Sequence, residues 1–106
     1  MIVVTNDAIV GKRIVRTLGL ARGNTIRARH LGKDIVAVFR NVVGGEISEY
    51  TKMMAEAREQ ALDRLVEEAE SKGASAVVGL RFTTASMMQG AAELLAYGTA
   101  VIVEDE

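Results

Sequence analysis

The fold of this chain is decided by residues 44–81, GGEISEYTKMMAEAREQALDRLVEEAESKGASAVVGLR. A double glycine opens it, and Gly73 separates a long segment rich in Glu and Ala from a short apolar run that begins at Ala76. Glycine is common just after the last turn of a helix because it adopts the left-handed backbone conformation there. The stretch therefore predicts a long helix that leads into a buried strand.

The predicted helix runs from about Glu46 to Lys72. One side of it is apolar at steps of three and four residues, which is the spacing of a helix face; this stripe consists of Ile47, Tyr50, Met54, Ala57, Ala61, Leu65 and Ala69. We expect the small alanines to let the helix lie close to a sheet. Glu46 falls in the first turn, where the helix dipole stabilises a carboxylate, and Glu68 with Lys72 is a favourable pair four residues apart.

Alternating or continuous apolar residues predict four strands, at residues 2–5, 11–22, 76–84 and 91–103. Val78, Leu80 and Phe82 are expected to share one face of the third of these strands, with Val77 and Arg81 on the other. Consecutive strands joined by a short link favour antiparallel pairing.

The segments between these elements also carry predictions. Gly23-Asn24 predicts a turn, after which residues 25–30 could extend a strand, and residues 85–90 predict a connection. Residues 34–43 are apolar on nearly every side and predict a short buried helix, with a strand as the alternative. Residues 104–106 are expected to form a solvated tail.

Together these elements predict an α+β fold in one domain spanning residues 1–106. Its two layers are an antiparallel β-sheet and a covering layer made of the long helix and the short helix. The other face of the sheet is left without cover, and Val77, Val101 and Val103 are expected to lie on it. This uncovered face predicts self-association, and a compact monomer is the alternative.

Composition narrows the classes of function. The chain of 106 residues has a net charge of −1 and a pI of about 5.9, which argues against a general nucleic-acid binder. It has no Cys, so thiolate metal sites and Cys nucleophiles are excluded, and this suits the reducing cytoplasm. The N-terminal residues do not resemble a signal peptide, and no apolar run approaches the length of a membrane span. We expect a cytoplasmic protein.

Several short motifs resemble the YbjQ-like family. They are Gly44-Gly45-Glu46, Tyr50-Thr51, Glu56-Ala57-Arg58, residues 73–79 and residues 97–101. The resemblance covers nearly the whole chain, and the family carries a heavy-metal-binding label. It implies subunits similar to those of dodecin in topology and assembly into a homopentameric ring. It does not imply any particular activity, because fold kinship alone does not define function.

The metal label can be compared with the available side chains. Soft metals prefer thiolate or thioether ligands, and borderline metals prefer imidazole, but the chain has one His and no Cys. Copies of His30 could converge at a ring axis, and Glu46 with Glu49 could bind a hard cation. The Met pairs at residues 53–54 and 87–88 could hold copper(I), although Met more often fills gaps in a core. A metal cofactor therefore has little support from the residues.

Charge is distributed unevenly along the chain. Seven basic residues, with no acid among them, fall between residues 12 and 33: Lys12, Arg13, Arg16, Arg22, Arg27, Arg29 and Lys33. The predicted helix, by contrast, is rich in Glu. The basic segment could form an anion-binding surface for phosphate, nucleotide or RNA, or could contact the acidic helix of a neighbouring subunit.

One polar set is a candidate ligand site. An Arg within a strand usually has a partner, and Glu93 on the neighbouring strand is the expected partner of Arg81. With Tyr97 and Arg58 these residues form the predicted ligand-binding set, and an ion-pair network between subunits is the alternative.

Three functions remain open. The first is a ring-forming subunit that binds a small ligand or a metal, and the second is a structural or protein-interaction module without a ligand. The third is an enzyme that uses carboxylates between subunits. No motif for a catalytic triad or a phosphate-binding glycine loop is present, so the sequence favours binding over catalysis and predicts no catalytic residue.

Overall fold

A computed structural model describes residues 1–28, 47–88 and 91–106 of the chain, and the side chains of residues 1–26, 52–85 and 92–106. The elements it contains are β1 (Ile2–Val3), β2 (Lys12–Ala28), α1 (Ile47–Ser71), β3 (Ala76–Met88) and β4 (Ala91–Asp105). The short helix predicted at residues 34–43 lies outside the described residues. The helix among the described residues is not long and apolar enough to cross a membrane.

The strands form one mixed sheet in the order β1-β3-β4-β2. β4 lies in the centre and pairs antiparallel with β2 and β3. β1 pairs parallel with β3, with Ile2 opposite Ala76. The prediction of an α+β fold is confirmed. The prediction of a wholly antiparallel sheet is wrong, because β1 and β3 are parallel neighbours joined by a long connection that includes β2 and α1.

The strand β2 continues through Gly23-Asn24, so the turn predicted there is wrong. Gly23 lies directly beneath α1: a Cβ atom at this position would come within 2.3 Å of the Ala61 carbonyl oxygen and the Leu65 nitrogen. The glycine therefore allows close approach of helix and strand and does not reverse the chain. β3 likewise runs to Met88, four residues beyond the predicted end, while Gln89-Gly90 lies outside the described residues.

The C-terminal residues are part of the sheet and not the predicted solvated tail. β4 extends to Asp105, and its last residues pair with the start of β2. Arg13 Nη2 lies 3.1 Å from Glu104 Oε2, and Lys12 donates a hydrogen bond to Asp105. The Lys12 ammonium lowers the pKa of the Asp105 carboxyl through this hydrogen bond and through its charge. Two members of the basic segment are thus paired with acids of the same chain.

The stripe predicted for α1 is confirmed over its described part. Ala57, Ala61, Leu65 and Ala69 are fully buried and pack towards the sheet, mainly over β2. Gly73 has a positive φ of 83° and donates to the Glu70 carbonyl, while Ala74 donates to the Ala69 carbonyl. These two hydrogen bonds form a Schellman motif, so the predicted helix stop is confirmed.

A β-bulge at Gly79 and Leu80 changes which side chains share a face of β3. The pairing with β4 shifts between Val78 and Arg81, so Val77 and Leu80 both lie in the core under α1. Val78 lies on the opposite face with Val101. The expected common face for Val78, Leu80 and Phe82 is therefore wrong, as is the placement of Val77 away from the helix.

Candidate functional site: the open face of the sheet

The face of the sheet that points away from α1, called the open face below, is covered at only one end. There Ala76, Val78 and Val101 are buried because Val4 and Ile9 of the N-terminal segment pack on them, with Val103 beside them. The predicted position of Val101 and Val103 on this face is confirmed, although Val101 is covered by residues of the same chain. At the other end, large side chains remain exposed.

The uncovered part of the open face is defined by the strand registers. Alternate residues of β2 and β4 face each other there, and their partners on β3 complete the surface. Its members are Leu20, Arg22, Asn24, Ile26, Arg81, Thr83, Glu93, Leu95 and Tyr97. Leu20 and Ile26 are about half exposed, at 51% and 53%. An apolar surface of this kind beside charged side chains is typical of a binding site.

Arg81 is held in place by main-chain oxygens. Its Nη1 donates hydrogen bonds of 2.8 Å to the carbonyls of Thr5 and Leu80. Thr5 lies next to β3 because the N-terminal segment continues along that strand after β1, where Val4 accepts a hydrogen bond from Leu80. The guanidinium is thus oriented without being neutralised, since carbonyls are neutral acceptors.

The expected pair between Arg81 and Glu93 does not form in this structure. Glu93 Oε2 instead accepts a 3.0 Å hydrogen bond from Asn24 Nδ2. The reason is register: β4 places Tyr97, and not Glu93, opposite Arg81, while Glu93 lies opposite Ala85. The partner of Arg81 across the strands is therefore an aromatic ring.

Arg22, Tyr97 and Arg81 form a row across three neighbouring strands. Arg22 on β2 is opposite Tyr97 on β4, and Tyr97 is opposite Arg81 on β3. The salt bridges within the described part of the chain involve Lys12, Arg13 and Lys72, so neither arginine of the row has a carboxylate partner there. The row is a local excess of positive charge around an exposed ring.

Arg58 is separated from the other predicted ligand-binding residues. It lies on α1 next to the buried Ala57 and is exposed. Because α1 covers the opposite face of the sheet, the sheet lies between Arg58 and the row. The structure thus brings Arg81, Glu93 and Tyr97 onto one surface and leaves Arg58 on another.

Arg22 was not predicted as a member of this site. Its position in the basic segment was evident from the sequence, but its neighbours depend on the pairing of β2 with β4 over the whole strand. That pairing contains two irregularities, between Ile14 and Arg16 and between Thr17 and Gly19. Each shifts the alternation of side chains by one residue. Gly19, with a positive φ of 103°, marks the second irregularity, but a glycine does not tell how far the alternation shifts, and the first irregularity has no such signal.

The predicted metal ligands are placed only in part. His30 and Glu46 lie outside the described residues, and Glu49 lies in α1 with its side chain outside them. Among the described residues, no group of three His, Cys, Asp or Glu side chains is close enough to hold a metal ion. Met53 and Met54 are half-buried on α1, which fits packing. The side chains of Met87 and Met88, the other predicted thioether pair, lie outside the described residues.

The two layers and the open face define the class of this protein as a small α+β fold with one partly uncovered sheet face. Comparison with known sequences then identifies its family. The YbjQ family model, described as "Putative heavy-metal-binding", matches residues 1–104. The chain belongs to this family, and the resemblance noted in the sequence is confirmed.

Relatives from bacteria and archaea match over almost their full length. A UPF0145 protein of Clostridioides difficile is 58% identical over 106 residues, covering 100% of this chain and 95% of the relative. A UPF0145 protein of Methanosarcina acetivorans is 62% identical over 101 residues, covering 95% of each. These names give a family and no reaction.

A solved structure supports the fold. A crystal structure of a protein of unknown function from Pediococcus pentosaceus, assigned to the DUF74 family, superposes with a TM-score of 0.66. The alignment covers 98% of both chains at 17% sequence identity. At this identity the likeness concerns the fold alone.

Proposed function

We propose that this protein is a cytoplasmic, self-associating subunit that binds a small anionic ligand on the open face of its sheet. The observation that carries the proposal is the state of Arg81. Its guanidinium is oriented by two carbonyls, lies beside an exposed Tyr97 and has no carboxylate partner among the described residues. A fixed guanidinium with free donors is suited to carboxylate or phosphate groups.

Self-association is supported by exposed apolar side chains on the edge strand. Leu20 and Ile26 lie on β2, half exposed, in a chain whose composition is 49% apolar. We propose that a second copy covers these two side chains along the β2 side of the open face, and that Arg22, Tyr97 and Arg81 line the ligand cleft beside it. Burying the exposed half of each side chain would stabilise the assembly by about 1 kcal/mol.

Charge complementarity supports a second copy as the partner. The side of α1 that faces away from the sheet carries exposed acids, namely Glu56, Glu59, Asp63, Glu67 and Glu70. β2 carries the exposed Arg16, which forms no salt bridge in the described part of the chain, whereas Arg13 is paired with Glu104. Opposite charges on different surfaces of one chain favour a head-to-tail contact, which closes into a ring when the rotation between copies allows it. A pentamer is the ring that the family resemblance implies.

Native mass spectrometry of the untagged protein, purified without added metal or chelator, tests the assembly. We expect a multiple of the 11.4 kDa chain, with a small reproducible excess mass if the ligand survives purification. A monomer at micromolar concentration would contradict self-association.

An NMR titration with inorganic pyrophosphate tests the anion site. We expect saturable shifts of the amides around Tyr97 and Arg81, and loss of these shifts in Arg81→Gln. Arg58→Gln is the matched control, because Arg58 is an exposed arginine on the other layer, and it should titrate like the unmodified protein. The absence of saturable shifts in the unmodified protein would contradict anion binding.

A further inference from the structure

The row formed by Arg22, Tyr97 and Arg81 places an exposed aromatic ring between two positively charged side chains. We infer that the open face binds an anion that carries an aromatic ring, such as a mononucleotide, with the ring stacked on Tyr97 and the anionic group held by the arginines. This inference rests on the anion site proposed above and names its ligand class.

The position of Tyr97 favours a ring. Its side chain is 36% exposed at the middle of the sheet face, and its hydroxyl has no hydrogen-bond partner among the described residues. Leu95 and Thr99 are its neighbours along β4 on the same face. An exposed aromatic ring on a sheet is a stacking platform that accepts planar ligands through its π-face.

The positions of the two arginines favour an anion attached to that ring. Neighbouring strands lie about 4.8 Å apart, so Arg22 and Arg81 flank Tyr97 with Cα atoms about 10 Å apart across β4. A ligand stacked on Tyr97 therefore lies between two guanidinium groups. Arg81 is already oriented by Thr5 and Leu80, which lowers the entropy lost on binding.

The acids near the row form no salt bridge with its arginines in the described part of the chain. Glu68 accepts the main-chain N–H of Arg22 and is paired with Lys72. Glu93 lies on β4, four residues before Tyr97 on the same face, and its carboxylate accepts a hydrogen bond from Asn24. Asp7 lies beside Gly79, with its Oδ1 3.7 Å from the position of a Cβ there. It makes no salt bridge with Arg81 in the described part of the chain. The net charge of −1 favours a small ligand over a nucleic-acid strand, whose binding surface is usually basic over a wide area.

Calorimetric titration with inorganic phosphate, phenyl phosphate, AMP and adenosine tests the ligand class. We expect phenyl phosphate and AMP to bind about tenfold more tightly than inorganic phosphate or adenosine, as stacking on an aromatic ring allows. Tyr97→Leu should weaken the binding of phenyl phosphate about tenfold through loss of stacking and leave that of inorganic phosphate unchanged, whereas Tyr97→Phe should retain both affinities. Arg22→Gln and Arg81→Gln should each weaken both phosphates, and Arg58→Gln should weaken neither.

The possible outcomes separate this inference from the proposed function. Equal affinity for inorganic phosphate and phenyl phosphate, unaffected by Tyr97→Leu, would overturn the aromatic part and leave the anion site in place. No binding of any phosphate by the unmodified protein would overturn both. Circular dichroism and the native mass of each variant show whether the fold and the assembly are retained, and Tyr97→Phe gives a conservative test if Tyr97→Leu fails to fold.

Discussion

Gly23 shows how a single residue determines the distance between the two layers. It has no side chain where β2 passes under Ala61 and Leu65, so the helix backbone lies close enough that a Cβ would overlap it. The buried alanines of α1 have small side chains, so they also allow the helix to lie close to the strand. A glycine between two strand-like segments signals a turn or a close approach, and only the tertiary contact distinguishes them.

Replacing Gly23 by Ala should therefore destabilise the fold. The added Cβ would lie 2.3 Å from backbone atoms of α1, which cannot move without shifting the helix. We expect a loss of about 2 kcal/mol or more in the free energy of unfolding, the range of overpacking in a tight core. Urea unfolding at one protein concentration measures this as a lower midpoint with an unchanged m-value.

Thr17→Ala on the same strand is the control for this measurement. Thr17 is exposed, and its loss should change stability by no more than about 0.5 kcal/mol. Equal stability of Gly23→Ala and Thr17→Ala would show that helix and strand are not in close contact at Gly23.

At the scale of elements, the outer edge of β2 is closed by α1. Arg22 donates its main-chain N–H to Glu68 Oε1 at 3.2 Å, Arg64 donates to the Asn24 carbonyl, and Lys72 donates to the Leu20 carbonyl. Unpaired backbone groups on an edge strand invite pairing with other chains. Polar side chains of α1 and Lys72 thus pair with the free backbone groups of β2, while the apolar side of α1 packs on the same strand.

Glu68→Ala should expose part of this edge. The Arg22 amide loses its acceptor, and a hydrogen bond of this kind contributes about 0.5–1.5 kcal/mol. We expect the exchange of the Arg22 amide hydrogen with solvent to accelerate roughly 2- to 10-fold. Glu67→Ala, which removes an exposed acid one residue away, should leave that rate unchanged; equal rates in both variants would show that Glu68 does not protect the edge.

Sequence patterns were sufficient to predict the features of α1 but not the register of the strands. The stripe of α1, its Gly73 cap and the pair between Glu68 and Lys72, 3.6 Å apart, depend on residues that are close in the chain, and all three were predictable. The register of β3 was not, because the bulge at Gly79 and Leu80 inverts the alternation. A glycine within a strand is a signal for a bulge, but it does not tell how far the alternation shifts.

The candidate site depends on those same shifts. Arg81, Glu93 and Tyr97 were predictable as polar residues on adjacent strands, but which of them face each other follows from the register of β3 on β4. β2 contributes Arg22 to the site, and the N-terminal segment that runs parallel to β3 contributes Thr5. A site assembled from four separate segments lies beyond what local patterns can locate.

At the scale of the whole molecule, the two faces of the sheet are covered differently. α1 buries one face over β2 and β4, and the N-terminal segment buries one end of the other. Val101 is 1% exposed beneath that segment, so a charged residue there would disrupt the subunit itself and would not report on an interface. A test of self-association has to use the exposed residues of β2.

Leu20→Glu combined with Ile26→Glu is that test. Both side chains are half exposed, so the substitutions should leave the subunit folded, while two buried carboxylates in an interface would oppose assembly strongly. We expect the mass measured by light scattering to fall to smaller multiples of 11.4 kDa. Phe82→Glu is the matched control, since Phe82 is 41% exposed and lies opposite Ala96 on the other face. A lower mass in Phe82→Glu, with an unchanged mass in the double variant, would place the interface on the face that carries α1.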